Sequence, residues 1–584
     1  MHIADYVLVI LYLILMVVIG FQNRSSSSNL SDYIRMGGKS PWWLAGCSIF
    51  MMGFSTITFT GISGSAYLAG WSVLIWFWGN SLALFIQAGY FAPLFRRSRA
   101  YTPFDIVKSR FGPVAEQVLV YAGTLPTFFW GGMFLYGLAT FCSAVFGIPI
   151  WILILVIGSV VVFYSVSGGS WSVQITDSLQ AIILLPVTIV FTILCIVKAG
   201  GFSGLFEAIE SAQLTKDFAL LKPSDHHYQN DAKVPSGYFT AAWLSAVFVS
   251  SVLRACTLES SFRYLSVKNE LGARKAALLA GGLTLAGSII WFIPPIVGRL
   301  YFSEAIEAVQ GLNNNADAAY AVTAMNILPP GFVGLIVIAM LAATMSTMDS
   351  VLTGVAGQIV RNIIPAARRR LGLATQNEQT QLKTTRFVNL LLGALAICVA
   401  FIIHINGGNS GIFDIVMQVN ALISPIYLPM ALALITKKIA PWGLISGMAL
   451  GTACSTTFFI LTKQDIEVLW HTMYFAIAIS SLLPPIISSF FYEKSNARFR
   501  ANVESFFELI STPIESEELE GEELDGTMLI TVGRYVIGVG TIIGLLTLIG
   551  ESFRDYATSL SVAVFLIALG SIMYAKGKKC PTAQ

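Results

Sequence analysis

The stretch Gly53-Phe54-Ser55-Thr56-Ile57-Thr58-Phe59-Thr60-Gly61-Ile62-Ser63-Gly64-Ser65 sets small and hydroxyl-bearing residues in the middle of a segment, 42–69, that is otherwise apolar. What that means depends on the solvent around it. The chain has 584 residues, 55% hydrophobic and only 11% charged, against roughly 25% charged in soluble domains. Its mean hydropathy is +0.73. A helix needs about 20 apolar residues to cross a hydrocarbon core roughly 30 Å thick, and about fifteen segments qualify. They are long, apolar on all sides and rich in Leu, Ile, Ala and Gly, unlike the short alternating strands of a barrel. Soluble enzymes, nucleic-acid partners and secreted disulfide scaffolds are excluded. Backbone that unwinds at membrane depth has to line a cavity or be buried in protein, so residues 53–65 mark a candidate site.

The spans are expected near 4–22, 42–69, 71–95, 115–147, 149–167, 171–198, 238–262, 276–301, 331–360, 386–405, 411–436, 440–461, 468–492, 529–549 and 557–575. The first is read as a span and not a cleaved signal, because no Lys or Arg precedes it and Asp5 opens it. Six of the seven cysteines fall inside apolar segments without metal-like spacing and are read as core residues. Basic residues cluster in alternate connections: Arg96, Arg97, Arg99, Lys108 and Arg110; Arg263, Lys268, Arg274 and Lys275; Arg361, Arg368, Arg369 and Arg370; Lys437 and Lys438. These loops are expected on the cytoplasmic side of a cell membrane, with the N-terminus outside and the C-terminus, carrying Lys576, Lys578 and Lys579, inside. The loops 200–237 and 302–330 then become external lid candidates holding short surface helices, and the acidic run from Glu515 to Asp525 reads as a solvated linker.

A second interruption, Ser250, Ser251, Arg254, Thr257, Glu259, Ser260 and Ser261, lies five spans after the first. Two five-helix units that each open with a broken helix face opposite ways, because five is odd. That is the inverted-repeat signature of secondary transporters, with the site between the breaks. The expected organisation is therefore a leading helix and linker over 1–41, one repeat over 42–198, an external loop over 199–237 and a second repeat over 238–436. Two peripheral helices over 437–492, the acidic internal loop 493–528 and C-terminal helices with a basic tail over 529–584 complete it.

Three more places carry polar groups at depth. Ala343, Ser346, Thr347 and Ser350 fall at i, i+3, i+4 and i+7, so they share one helix face. Paired hydroxyls beside a small residue suit a hard cation such as sodium, and Asp349 sits next to them. Asp177 is a carboxylate inside the sixth span, with Gln180 on its face. Arg254 lies nine residues before Arg263, near the midplane, where an Arg costs about 2.5 to 3.5 kcal/mol on the lenient insertion scale. It needs a partner, either Asp349 or the carboxylate of a bound solute.

One ordered set of motifs makes the chain resemble a known family. It consists of Tyr101, Thr102 and Pro103 with Arg110, Phe111 and Gly112; Thr176, Asp177 and Gln180 after Gly168 and Gly169; Arg263, Leu265 and Lys268; and Leu328, Pro329 and Gly331 leading into Ala342, Ala343, Met345, Ser346, Thr347, Asp349 and Ser350. The family is the sodium/solute symporters, which include sodium/glucose, proline, sialic acid and monocarboxylate carriers. The resemblance implies an all-α, leucine-transporter-like fold with an extra leading helix. It implies a sodium site on Ser346, Thr347 and the carbonyls of Ala343, Met51 and Phe54, and a second cation position at Asp177, Asp349 and Ser350. Sugar carriers place amide and carboxylate side chains in the first broken helix and the helix after it, whereas Gly53, Thr58 and Phe77 match those positions here. With Ser55 and Phe59 this looks more like the organic-anion branches.

The expected function is a sodium-coupled importer of a small organic solute, an organic anion first, with Gly53, Ser55, Thr58, Phe77, Arg254 and Thr257 as solute contacts. Na+ is the coupling ion, no organic cofactor is expected, and the partners are the solute, the ion and the lipid bilayer. A sodium/sugar carrier is the alternative within transport. A solute sensor on the same fold is the alternative from another class, although no soluble signalling domain accompanies it. An enzyme is not expected, since no clustered metal or nucleophile motif is present.

Overall fold

Helix after helix follows from these apolar runs. A computed structural model describes residues 2–22, 30–228, 234–309, 312, 314–329, 331–374, 376–406, 412–464, 468–514, 525–545 and 553–579. Among them are no β-strands, only isolated bridges at Ser40 to Val267 and Lys222 to Thr240. Eleven helical runs are long and apolar enough to cross a membrane, and four shorter apolar helices, Ile3–Met16, Trp42–Met52, Ile150–Phe163 and Ala241–Cys256, accompany them. The acidic run lies outside the described residues, apart from the backbone of Asp525 at the start of the helix Asp525–Gly544.

The helix Phe332–Gln358 is the axle, with nearly every side chain buried. It packs against Pro113–Phe146, Ile150–Lys198 and the leading helix Ile3–Gln22. Asp5, buried at the foot of that leading helix, accepts a hydrogen bond from Gly334 N at 2.8 Å. A polar residue that looks out of place in a span therefore docks the extra helix to the axle.

The expected spans 149–167 and 171–198 form one helical path, Ile150–Lys198, bent at Gly169 (φ +60°, ψ −162°). Only glycine suits that position: the φ is left-handed, and an added Cβ would stand 2.6 Å from the ring of Tyr33. A second corner falls at Gly70, with φ +62°. There the loop 200–237 is strapped to the bundle, because buried Lys222 Nζ donates to Ala69 O (2.9 Å), Ser72 Oγ (2.7 Å) and Ala219 O (2.6 Å). The other loop departs from the expectation of surface helices: Ala319–Ile327 is almost wholly buried, since its Ala, Val and Thr side chains are small enough to wedge between longer helices.

Candidate functional site

Both interruptions break their helices. The helix Trp42–Met52 stops at Gly53, whose N–H donates to Ile49 O (3.3 Å) and Phe50 O (3.1 Å). Gly53, Phe54 and Ser55 are non-helical before the chain coils again. Ala241–Cys256 ends at Thr257, where ψ swings to 150° and both N–H and Oγ1 turn back to Arg254 O at 3.1 and 2.7 Å. The Glu259 and Ser260 side chains lie outside the described residues.

The first break faces the hydroxyl stripe of the axle. Thr347 Oγ1 has Ala343 O at 2.9 Å, Met51 O at 3.3 Å and Phe54 O at 3.5 Å. One hydroxyl proton cannot serve three carbonyls, so the cluster holds more lone pairs than hydrogens. That surplus is what a hard cation needs. Ser346 Oγ, one residue back, is buried beside the Asp177 carboxylate. Four of the residues expected to hold sodium, Met51, Phe54, Ala343 and Thr347, therefore meet where the first break crosses the axle, while the Ser346 side chain turns to Asp177.

The second cation position looks different. Ser48 Oγ donates to Asp177 Oδ2, and Arg263 Nη2 stands 3.9 Å from the same oxygen, with both side chains almost fully buried. Arg263 Nη2 also donates to Ser350 Oγ, and Nη1 to Ser170 Oγ at 3.4 Å. Asp177 and Ser350 come together as expected, but around a guanidinium. Asp349 is on another face of the axle, within electrostatic reach of Tyr12 and Tyr33.

Between the two breaks lies a cavity of about 380 Å³ whose wall includes Gly53, Ser55, Thr58, Phe77, Arg254 and Thr257, with Thr347 at its edge. The size is that of a small-molecule site. Arg254 is exposed into it, and its Nη2 donates to Asn80 Oδ1 at 2.9 Å. The alternative pairing of Arg254 with Asp349 is not formed, because the carboxylate belongs to the opposite face of the axle. The wall also carries Trp76, Asn80, Gln87, Asn420 and Tyr474, which sequence reading missed. Asn80 and Gln87 stand two turns apart on the Phe77 face of an apolar helix, and that spacing was the available signal. They correct the expectation that amides are lacking there.

The cavity runs toward the basic loops, where Gln87, Arg263, Tyr264 and Tyr427 line it. The opposite end is sealed. A Cβ on Gly61 would meet Phe413 N at 2.7 Å and one on Gly64 would meet Asp317 Oδ1 at 2.8 Å, so the first broken helix touches both neighbours directly. Asp317 Oδ2 accepts from Ile412 N at 3.1 Å. Tyr238, Phe239, Trp243, Phe413 and Trp470 form an aromatic pack beside that contact.

Comparison with known proteins agrees with this architecture. The rat (Rattus norvegicus) sodium/glucose cotransporter 2 is 23% identical over 576 residues, covering 90% of this chain and 83% of that one. The dog (Canis lupus familiaris) sodium/myo-inositol cotransporter is 25% identical over 499 residues, covering 80% and 68%. Among solved structures, a Na+-coupled sialic acid symporter in a substrate-bound outward-open state superposes with a TM-score of 0.69 at 17% identity, covering 83% of this chain and 97% of that one. The nucleobase-cation-symport-1 transporter Mhp1 superposes at 0.50 with 14% identity, covering 81% and 98%. These two likenesses concern the fold. The family model of the sodium:solute symporters matches residues 33–451, and the chain belongs to that family, as a multi-pass membrane transporter and not an enzyme.

Proposed function

We propose that this protein imports a small organic anion together with one sodium ion, by alternating access. Arg254 carries the reading. It is a fixed cation exposed in the central cavity, steadied by an amide, with no ion pair among the described residues. A guanidinium presents two parallel N–H donors that fit a carboxylate. Sodium is held by the carbonyls of Met51, Phe54 and Ala343 and the hydroxyls of Ser346 and Thr347, so that it closes the first break against the axle. Gly53, Ser55, Thr58, Phe77 and Thr257 complete the solute wall.

The second cation position at Asp177, Asp349 and Ser350 gives way to a tethered charge: Arg263 neutralises Asp177, and the coupling is one sodium per solute. A tenfold sodium gradient supplies about 1.4 kcal/mol and 100 mV about 2.3 per charge, so one ion supports several hundred-fold accumulation. Placing the basic loops in the cytoplasm, with the N-terminus outside and the C-terminus inside a plasma membrane, makes the described state inward-facing. The two repeats 42–198 and 238–436 are the bodies that rock about the site.

A neutral polyol or sugar is the second reading. The amides Asn80, Gln87 and Asn420 on the wall favour it, as do relatives named for glucose and myo-inositol. Uptake into cells expressing the protein, with sodium or choline outside and labelled monocarboxylates beside labelled glucose and inositol, separates the two. Sodium-dependent carboxylate uptake supports the first reading. Sugar uptake that no carboxylate competes with overturns it.

A further inference from the structure

We propose that the groove between the ends of the helices bearing Arg97 and Arg274 is a binding site for the headgroup of an anionic phospholipid. A cavity of about 370 Å³, apart from the central one, is lined there by Tyr90, Leu94, Arg97, Glu270, Leu271 and Arg274. Its place follows from the spans themselves: one membrane-crossing run ends at Arg97 and another begins at Glu270. The groove therefore opens where hydrocarbon gives way to headgroups.

Its two halves differ in chemistry in the way a phospholipid does. Leu271 and Tyr90 are 55% and 49% exposed, an apolar flank that water would disfavour and an acyl chain would cover. At the polar end Arg97 Nη2 binds Glu270 Oε1 at 3.2 Å, while Arg97 Nε is buried with no hydrogen-bond partner. Arg274, one turn along from Glu270, is exposed and makes no hydrogen bond or ion pair among the described residues. One carboxylate thus pairs with one guanidinium, while a second, Arg274, lines the same groove. Lys275 lies 5.8 Å from the Trp42 ring nearby, so the surrounding belt is basic and aromatic, as interfacial anchors are. A phosphodiester seated between Arg274 and Arg97 would supply the missing acceptors, and basic pockets between spans bind such headgroups.

The chain's own acidic run, seven side chains between Glu515 and Asp525, is the competing occupant. The exposed apolar flank favours the lipid, because the acidic run holds only Leu519 and Leu524 beside its seven carboxylates, far less apolar surface than an acyl chain lays along Leu271 and Tyr90.

The test is native mass spectrometry of the full-length protein after incubation with mixed phosphatidylglycerol and phosphatidylcholine. Arg274→Gln, Arg274→Lys and a control at the exposed Arg369, Arg369→Gln, are compared with the parent. One basic side chain at an anionic surface is worth about fivefold in affinity. Retention of phosphatidylglycerol over phosphatidylcholine should accordingly drop about fivefold in Arg274→Gln, recover in Arg274→Lys and stay unchanged in Arg369→Gln. Thermal protection by phosphatidylglycerol but not by glycerol phosphate would show that the acyl chains take part. Equal retention in the parent and Arg274→Gln overturns the proposal, and so does equal protection by the soluble phosphate. Neither outcome depends on which solute is carried.

Discussion

Two arginines nine residues apart, one on each side of the second break, have opposite surroundings. Arg263 is buried against Asp177 with hydroxyls of Ser170 and Ser350 on its nitrogens. Arg254 is exposed in the cavity and leans on a neutral amide, Asn80. Both began as the same chemistry in the sequence. A buried guanidinium beside a carboxylate already has its charge balanced. A guanidinium held only by an amide keeps its charge for a ligand. The oxygens gathered around Thr347 lie at the first break, beside the same cavity.

The largest effect should come from breaking the Arg263 pair. Removing one partner of a buried ion pair costs about 3 to 5 kcal/mol, so Arg263→Met should lower thermal stability in detergent by that order. Sodium, but not choline, should restore part of it, because Asp177 and Ser350 then form an open cage. A sodium-to-solute flux ratio of two in parent vesicles, falling to one in Asp177→Asn, would show that Arg263 does not exclude the second ion.

Next in size is the cage itself. Losing even a partner that only orients a metal ligand typically costs about 10- to 100-fold in affinity, so Thr347→Ala, which removes a proposed ligand, should raise the sodium concentration for half-maximal uptake by at least about tenfold with normal expression. Unchanged sodium dependence would move the ion site elsewhere. At Arg254 the expected change is smaller. Charged hydrogen bonds are worth about 1.5 to 3 kcal/mol, part of which lysine keeps, so Arg254→Lys should weaken solute affinity about tenfold and leave sodium affinity nearly unaltered. Equal loss of both would assign Arg254 to the ion path.

The last effect concerns the sealed end and is confined to a window of pH. Burial, with Asp414 adding its charge, pushes Asp317 up to about 7. A carboxyl raised in the folded state holds its proton between about pH 4 and 7, where the unfolded chain has lost it. The stability it contributes is then present at low pH and lost as pH rises through 7, with a slope of at most about 1.4 kcal/mol per pH unit. Thermal stability should decline toward neutral pH in the parent and do so less in Asp317→Asn. Identical profiles would show that the seal does not depend on this proton.

Much of this was legible beforehand because membrane folds are written in long periodic signals. The two breaks, the stripe through Ser346 and Thr347, and Asp177 stood out as polar residues where hydrocarbon should be. Asn80 and Gln87 were as polar and as deep, yet a single amide in a long apolar helix is common, and nothing in spacing alone says which face meets a cavity. Pairings were harder still. Arg254 had two candidate partners on paper and took a third, Asn80, and the charge that meets Asp177 came from a residue counted among the cytoplasmic basics.

By itself the sequence determined that this chain crosses a membrane many times, that two helices break at depth five spans apart, and where hydroxyl side chains line up along one helix. Those follow from hydropathy and helical periodicity, which are local. Only the tertiary structure decided that Arg263 fills the position beside Asp177, that Arg254 enters the cavity, and that Gly61 and Gly64 seal one end. Each of these depends on side chains from separate helices meeting within a few ångströms, and neither hydropathy nor periodicity specifies such a distance.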